Sequence, residues 1–246
     1  MNSMVIVRDQ FDPDLRKIIK KHKVAIIPVG SIEQHGPHLP VSTDSDIVSE
    51  IAKRVSDKCN FLLVPTVSYG VSFEHAPFFN LSLSERTLEM LLIDICLSLS
   101  SNDIDTIFIL NGHHGNQESL TNLRQKIKRL SKKKVRVFIF SYWHFMKQEF
   151  DHAGFVETSL MLAISKRVKM KLAQKGLITK NMSKKQKLGL AKRASISFPS
   201  VALNGVWGDP TKSTLKDGER FLAEIVRNLA KKSQTCLTEK SPKLHQ

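Results

Sequence analysis

The stretch KVAIIPVGSIEQHGPHLPVSTDSDIVSEIAKRVSDK, residues 23–58, reads as a strand, a polar loop and a helix in that order. KVAIIPVG is a short apolar run ending at Gly30, the pattern of a strand covered on both faces. DIVSEIAKRVSDK (46–58) spaces its apolar residues helically, with Asp44 or Ser45 near the N-cap. The alternation continues along the chain. FLLVPTV (61–67), IDTIFILNG (104–112) and VRVFIFSYW (135–143) read as strands. SERTLEMLLIDICLSLSS (84–101), opened by Ser84, and NQESLTNLRQKIKRLSKK (116–133) read as helices, and VETSLMLAIS (156–165) begins another. Strand-length apolar runs alternating with amphipathic helices predict an α/β fold: a single domain with a mainly parallel sheet flanked by helices on both faces. The domain is expected to span 1–232, followed by a basic, flexible tail over 233–246.

The chain has 246 residues, 41% of them hydrophobic, enough for a sizeable core. No window holds about 18 uninterrupted apolar residues, so no membrane span is expected. The opening MNSMVIVRDQFDPDLRK has no basic region followed by an apolar one, so no signal peptide is expected. Cys59, Cys96 and Cys236 are odd in number and widely spaced, which suits free thiols in a reducing cytoplasm.

Three polar clusters stand out: VGSIEQHGPHLPVSTDSD (29–46), LNGHHGN (110–116) and EFDHAGFVETS (149–159). Each follows a strand, so all three fall at the carboxyl edge of one parallel sheet, where open α/β folds put their sites. Glu33 and His35 are two apart and share a side of an extended segment, which Pro37 is expected to keep extended. Asp44 could return to the same point, His113 sits on a tight Gly112 turn, and Glu157 begins a helix. Carboxylates and imidazoles converging this way suit a divalent-metal site. Singly, Asp44 reads equally as a helix cap and Glu157 as an acid facing a helix dipole. His38, His75 and His114 read as groups that orient ligands or touch substrate.

The three segments, in this order over roughly residues 24–165, resemble the signatures of the creatininase (creatinine amidohydrolase) family. The resemblance implies a dinuclear metalloenzyme that usually assembles as a homo-oligomer, and hydrolysis of carbon–nitrogen bonds other than peptide bonds. Carried onto this chain, it puts Glu33, Asp44 and His113 on one ion and His35 and Asp44 on the other. His152 of DHAG would be the catalytic histidine, shuttling a proton to the leaving nitrogen. Two ions per chain, Fe, Zn or Mn, would be the cofactor.

Two departures from the family pattern narrow the expected substrate. Gly115 stands where creatininase has an acid two residues after the ligand histidine, so Glu157 would have to serve the second ion. Phe79 and Asn80 replace part of a phenylalanine/proline–glycine–threonine run. From Thr158 to Gly208 there is no acid but eleven Lys and Arg, which supply much of the net charge of +15. As a rim drawing in an anionic substrate, this tract would use Lys184, Lys185 and Lys187, alongside His75 and His114. Aromatic content of 7% without interleaving gives no pattern for specific nucleic-acid binding.

A phosphorylated small molecule with an amide-type bond joins these lines. The expectation is deformylation of a formylaminopyrimidine ribonucleotide, as in the family's archaeal deformylases on the route to riboflavin and F420. The alternatives are creatinine hydrolysis and trimming of a modified precursor peptide. A non-catalytic binding protein ranks last, because the candidate ligand set is intact.

Overall fold

The computed structural model describes residues 4–239. Five parallel strands form one sheet in the order β1-β3-β2-β4-β5. In chain order, β1 is Val5–Ile6 and α1 Asp12–Ile19, then β2 Val24–Val29 and α2 Thr43–Cys59. β3 is Leu62–Leu63, α3 Glu85–Ser101 and β4 Thr106–Asn111. α4 Gln117–Thr121, α5 Leu123–Leu130, β5 Arg136–Ser141 and α6 Phe155–Ile164 follow, and α7 Lys184–Ala194 and α8 Leu215–Thr238 close the chain.

Alternation along the central strands sorts the core into two layers. Ile26, Phe108 and Leu110 face α2, α6 and α8, packing on Ile47, Ile51, Leu160, Phe221 and Ile225. Ala25, Ile27, Val29, Ile107 and Ile109 face the other way, onto Leu88 and Leu92 of α3 and Leu123 and Ile127 of α5. Each such fully buried aliphatic side chain contributes about 1.5–3 kcal/mol. No helix among the described residues is long and apolar enough to cross a membrane.

Several boundaries differ from the sequence expectation. The run 61–67 pairs as a strand only at Leu62–Leu63. Pro65 has no N–H for the ladder, and the chain rejoins β2 through a bridge from Val67 to Val29. The helix expected over 116–133 breaks at Asn122 (φ −105°, ψ 5°) into α4 and α5, while Thr121 Oγ1 donates back to the Gln117 carbonyl. α2 starts at Thr43, with Ser42 as N-cap, so Asp44 lies in its first turn rather than capping it.

One larger correction and one further finding concern the C-terminal third. The tail expected from 233 is helical through Thr238, with Ser233 and Cys236 buried and the Arg136 guanidinium donating to the Cys236 carbonyl at 3.2 Å. Residues 240–246 of that tail lie outside the described residues. The basic tract is folded: a Ser183–Gln186 capping box opens α7, and Phe198, Ala202 and Val206 are buried beyond it. Cys59, Cys96 and Cys236 are free thiols.

Candidate metal centre

The segment after β2 is held extended on both edges. Glu33 N donates to the Val41 carbonyl at 3.0 Å and Gln34 N to that of Phe79 at 2.8 Å, so Glu33 and His35 do share a side. The extended run ends one residue earlier than the Pro37 argument implies. Gly36 sits at φ +61°, a left-handed turn in which a Cβ would also strike Val206 Cγ2 at 2.6 Å.

The turn brings Glu33, His35, Asp44, His113, His152 and Glu157 together at the carboxyl edge of the sheet. His35 Nδ1 donates to the Glu33 carbonyl at 3.1 Å, which aims Nε2 at Asp44 Oδ1 (3.2 Å) and Glu157 Oε2 (3.5 Å). His113 puts Nδ1 3.0 Å from Asp44 Oδ2 and Nε2 3.2 Å from Glu33 Oε2, with the Val71 carbonyl 2.8 Å from that same Nε2. Asp44 therefore faces two imidazoles from the first turn of α2. His152 Nδ1 lies 3.7 Å from Glu33 Oε1.

Burial sets the electrostatics. Burial alone would raise the Asp44 pKa, but His35 and His113 hold it well below the carboxylate range. Burial likewise disfavours a charged His35, yet Asp44 and Glu157 outweigh it and raise its pKa to about 9. Glu157 is pushed up to about 8, by burial first and with Asp44 adding to it, against the pull of His35. Glu33 is raised well above the usual range by burial and by the charges of Asp44, Glu74 and Glu157. His152 is driven well below its ordinary value by burial, then by His35 and His75, which leaves a neutral ring.

These residues fit a divalent cation. Glu33 Oε1 and Oε2, His35 Nε2, Asp44 Oδ2 and Glu157 Oε1 are buried and have no hydrogen-bond partner. Buried polar atoms are nearly always paired, and five orphans at one point mark a place for a bound ion. The triplets Glu33–His35–Asp44 and His35–His152–Glu157 each bring donor atoms within 4.8 Å of one another. Oxygen and imidazole donors of this kind suit Zn, Mn or Fe.

The weaker candidates divide. His75 belongs to the cluster, with Nε2 3.2 Å from Glu33 Oε1. His114 is exposed and stacks on Trp143 at 6.1 Å. Lys184 and Lys185 are exposed on α7 without an ion pair among the described residues, and Lys187 Nζ pairs with Glu149 at 2.7 Å. The structure thus gathers the histidines and acids but does not show the three lysines touching them.

Sequence reasoning missed several groups that shape the site. Gln34 Oε1 accepts from Gly36 N at 2.9 Å, which turns its amide nitrogen toward His75 Nδ1 (2.9 Å) and His152 Nε2 (3.1 Å). By this network His75 Nδ1 accepts, and its proton sits on Nε2, facing Glu33. Asp151 caps α6 by accepting from Val156 N at 3.0 Å, with its pKa raised by burial to about 7. Ala153, between the cap and the helix, is strained at φ +51°, and its N–H donates to Glu157 Oε2 at 2.6 Å. Phe198 roofs the cluster, its ring centroid 4.6 Å from those of both His75 and His152. Gln34 and Glu74 each adjoin a residue already singled out, so neighbourhood was their available signal. Phe198 had none, because its arrival depends on tertiary folding.

A parallel α/β sheet carrying buried acids and histidines at its carboxyl edge defines a metal-dependent hydrolase class. The chain belongs to the creatinine amidohydrolase family, whose profile matches residues 9–232. It is a metal-dependent amidohydrolase acting on carbon–nitrogen bonds. A mycofactocin precursor peptide peptidase from Mycolicibacterium smegmatis is 32% identical over 214 residues, covering 84% of this chain and 83% of that one. A deformylase of 2-amino-5-formylamino-6-ribosylaminopyrimidin-4(3H)-one 5'-monophosphate from Methanothermobacter marburgensis is 36% identical, but over only 106 residues, 39% of this chain and 42% of that one. Among solved structures, a manganese creatininase superposes with TM-score 0.78 at 20% identity, covering 96% of this chain and 100% of that one. A Zn–Zn creatininase variant superposes with TM-score 0.79 at 20% identity and the same coverage.

Proposed function

We propose that this protein hydrolyses an amide C–N bond at a centre built on Glu33, His35, Asp44, His113 and Glu157, with His152 carrying the proton. The observation that supports it is the set of orphaned, buried acid and imidazole atoms around a histidine kept neutral. Bound there, one or two divalent ions (Zn, Mn or Fe) would polarise the amide carbonyl and acidify an attacking water. Asp44, facing His35 and His113 at once, holds both rings in place. His152, uncharged because of its burial and its histidine neighbours, keeps its proton on Nε2 by donating to the Gln34 carbonyl at 3.2 Å, which leaves Nδ1, the ring edge that faces Glu33, to accept a proton. It then returns that proton to the departing nitrogen, a role worth about 10²–10⁴ in rate. Phe198 keeps bulk water from the two rings beneath it.

Two substrate readings have specific support. Similarity across more than four-fifths of both chains favours cleavage of a precursor peptide, the activity named for the mycobacterial relative. The 106-residue likeness to the archaeal deformylase, with the acid-free tract 158–208, favours a phosphorylated formamide in a cytoplasmic biosynthetic setting. A homo-oligomer also belongs to this reading, supported by exposed Tyr69, Phe73, Phe79 and Leu81 on one short stretch.

One assay series tests the whole. Chelator-stripped protein should be inactive and regain turnover with Zn or Mn; full activity without metal rejects the mechanism. Products from a formylaminopyrimidine ribonucleotide, creatinine and a peptide then identify the bond. Formate release selects deformylation, and a shortened peptide selects trimming. His152→Ala should keep its metal and lose turnover; an active variant would remove His152 from the proton path.

A further inference from the structure

The cap of α6 comes from outside the usual position. The helix begins Phe155, Val156, Glu157, and the residue before it, where a capping side chain ordinarily sits, is Gly154. The acceptor is instead Asp151, further upstream. Its Oδ2 accepts from Val156 N at 3.0 Å and its Oδ1 from Glu157 N at 3.4 Å. These are the two N–H groups that a side chain at 154 would serve. None fits there, because a Cβ on Gly154 would lie 2.3 Å from Asp151 Oδ2 and 2.8 Å from the Trp207 carbonyl oxygen.

A cap that reaches back to 151 closes the residues between into a tight turn. His152 is held in that turn by backbone hydrogen bonds to Trp207 in both directions, at 3.1 and 2.8 Å, and its Nε2 donates to the Gln34 carbonyl at 3.2 Å. Ala153 takes the bend at φ +51°, a region that glycine enters freely and alanine does not. The bend turns Ala153 N–H onto Glu157 Oε2 at 2.6 Å, and that same oxygen stands 3.5 Å from His35 Nε2. Glu157 is thereby fixed through one oxygen, while Oε1 has no hydrogen-bond partner.

Serine or aspartate directly before the helix would cap α6 as well as Asp151 does, but would leave 151–153 free to relax. Capping from 151 does what a local cap does not: it holds the bend.

We propose that Asp151 is a positioning residue, which by capping α6 across the 151–154 turn locks the Ala153 bend and aims His152 and Glu157 together. The inference rests on the roles proposed above for those two residues and adds the group that fixes their geometry.

The first test needs neither metal nor substrate. In stripped Asp151→Ala protein followed by NMR, the Ala153 amide should exchange with deuterium at least about tenfold faster than in stripped wild type. The His152 Nε2–H signal in ¹⁵N-histidine spectra should shift with it. Zn²⁺ affinity, read by calorimetry, should fall about 10–100-fold, the range for loss of a group that orients a ligand. Asp151→Asn keeps one acceptor oxygen and should lose less on each count; it carries the test if the alanine variant fails to fold. Adding Ala153→Gly to either variant should restore part of the lost affinity, because glycine keeps the bend without the tie. A cap with no positioning role gives another pattern: faster exchange at Val156 and Glu157, wild-type behaviour at Ala153 and His152, and no recovery with glycine. That pattern overturns the proposal. Wild-type protein that binds no Zn²⁺ overturns the metal reading alone, since amide exchange and the His152 signal still decide the role of Asp151.

Discussion

The loop over 30–46 and the tract over 166–207 both close on the same histidines, but they do so with opposite chemistry. The loop buries charge: Glu33, His35 and Asp44 are each at most 2% exposed, at the end of the central strand. The tract keeps its charge outside and sends in apolar groups, Phe198 over His75 and His152 and Val206 against Gly36. Backbone pairing joins them to the His152 segment, since His152 N donates to the Trp207 carbonyl at 3.1 Å and Trp207 N to that of His152 at 2.8 Å. One region thus supplies the buried acids and imidazoles of the proposed centre, and the other an apolar roof over two of its histidines.

The sharpest way to break this division is at Asp44. Asp44→Ala leaves His35 and His113 without their shared carboxylate and should lower metal affinity by more than about 100-fold, the upper end for loss of a supporting partner. Turnover should vanish with the metal. Metal retention by this variant in elemental analysis would mean that the loop orients the site without holding an ion.

Protonation offers a second probe. In the metal-free chain the proton of His35 is held up to about pH 9 and that of Glu157 up to about pH 8. Both folded values lie above their unfolded ones, so each group adds stability at low pH that is lost as pH rises through the folded value. The stripped protein should therefore melt at progressively lower temperature between pH 6.5 and 9, and added Zn²⁺ should flatten that decline. At pH 7, metal binding should release about one to two protons, visible as buffer-dependent calorimetric heats. Buffer-independent heats would show that these donors are already deprotonated.

How much of this was readable beforehand follows the same division. Residues whose role depends on strand ends were legible, because Glu33, His35 and His113 follow apolar runs that could only be buried strands. Asp44 was ambiguous, since Thr-Asp-Ser-Asp before an apolar helix is also a capping signal; only the turn at Gly36 decides which way it faces. The helix α8 carried a helical apolar pattern, in Phe221, Leu222, Ile225 and Leu229, that the emphasis on a basic tail obscured. Glu74 and Phe198 were not legible as site residues. A turn after β3 and a segment some 85 residues beyond His113 meet there through tertiary packing, which no local period records.

Phe198 tests the roof with a smaller effect. Phe198→Ala opens a void above two imidazoles and admits water, so desolvation of His152 weakens and its pKa rises toward the ordinary histidine value. The acidic limb of the activity profile should move up by about one pH unit, with a turnover loss approaching tenfold on that acidic side and little loss at pH 7, where a ring of ordinary pKa is still mostly neutral. An unshifted profile in a variant that retains its metal would show that neighbouring charge, not the roof, keeps His152 neutral.

The smallest effect is expected at the lysines, and here the structure favours modest numbers. Lys187 is tied to Glu149 in a solvent-facing pair, and Lys184 and Lys185 stand exposed on the first turn of α7. Exposed pairs contribute about 0–1 kcal/mol, so the triple change to Gln should leave the melting temperature nearly unmoved. Long-range attraction is a separate matter, because the acid-free tract still carries a field that an anionic substrate would feel. If the substrate is phosphorylated, its kcat/KM should fall a few-fold in the triple variant, and most at low ionic strength, where screening is weakest. An unchanged kcat/KM at low salt would make the tract a roof whose charges merely keep it solvated, and would shift weight from the phosphorylated formamide to the peptide.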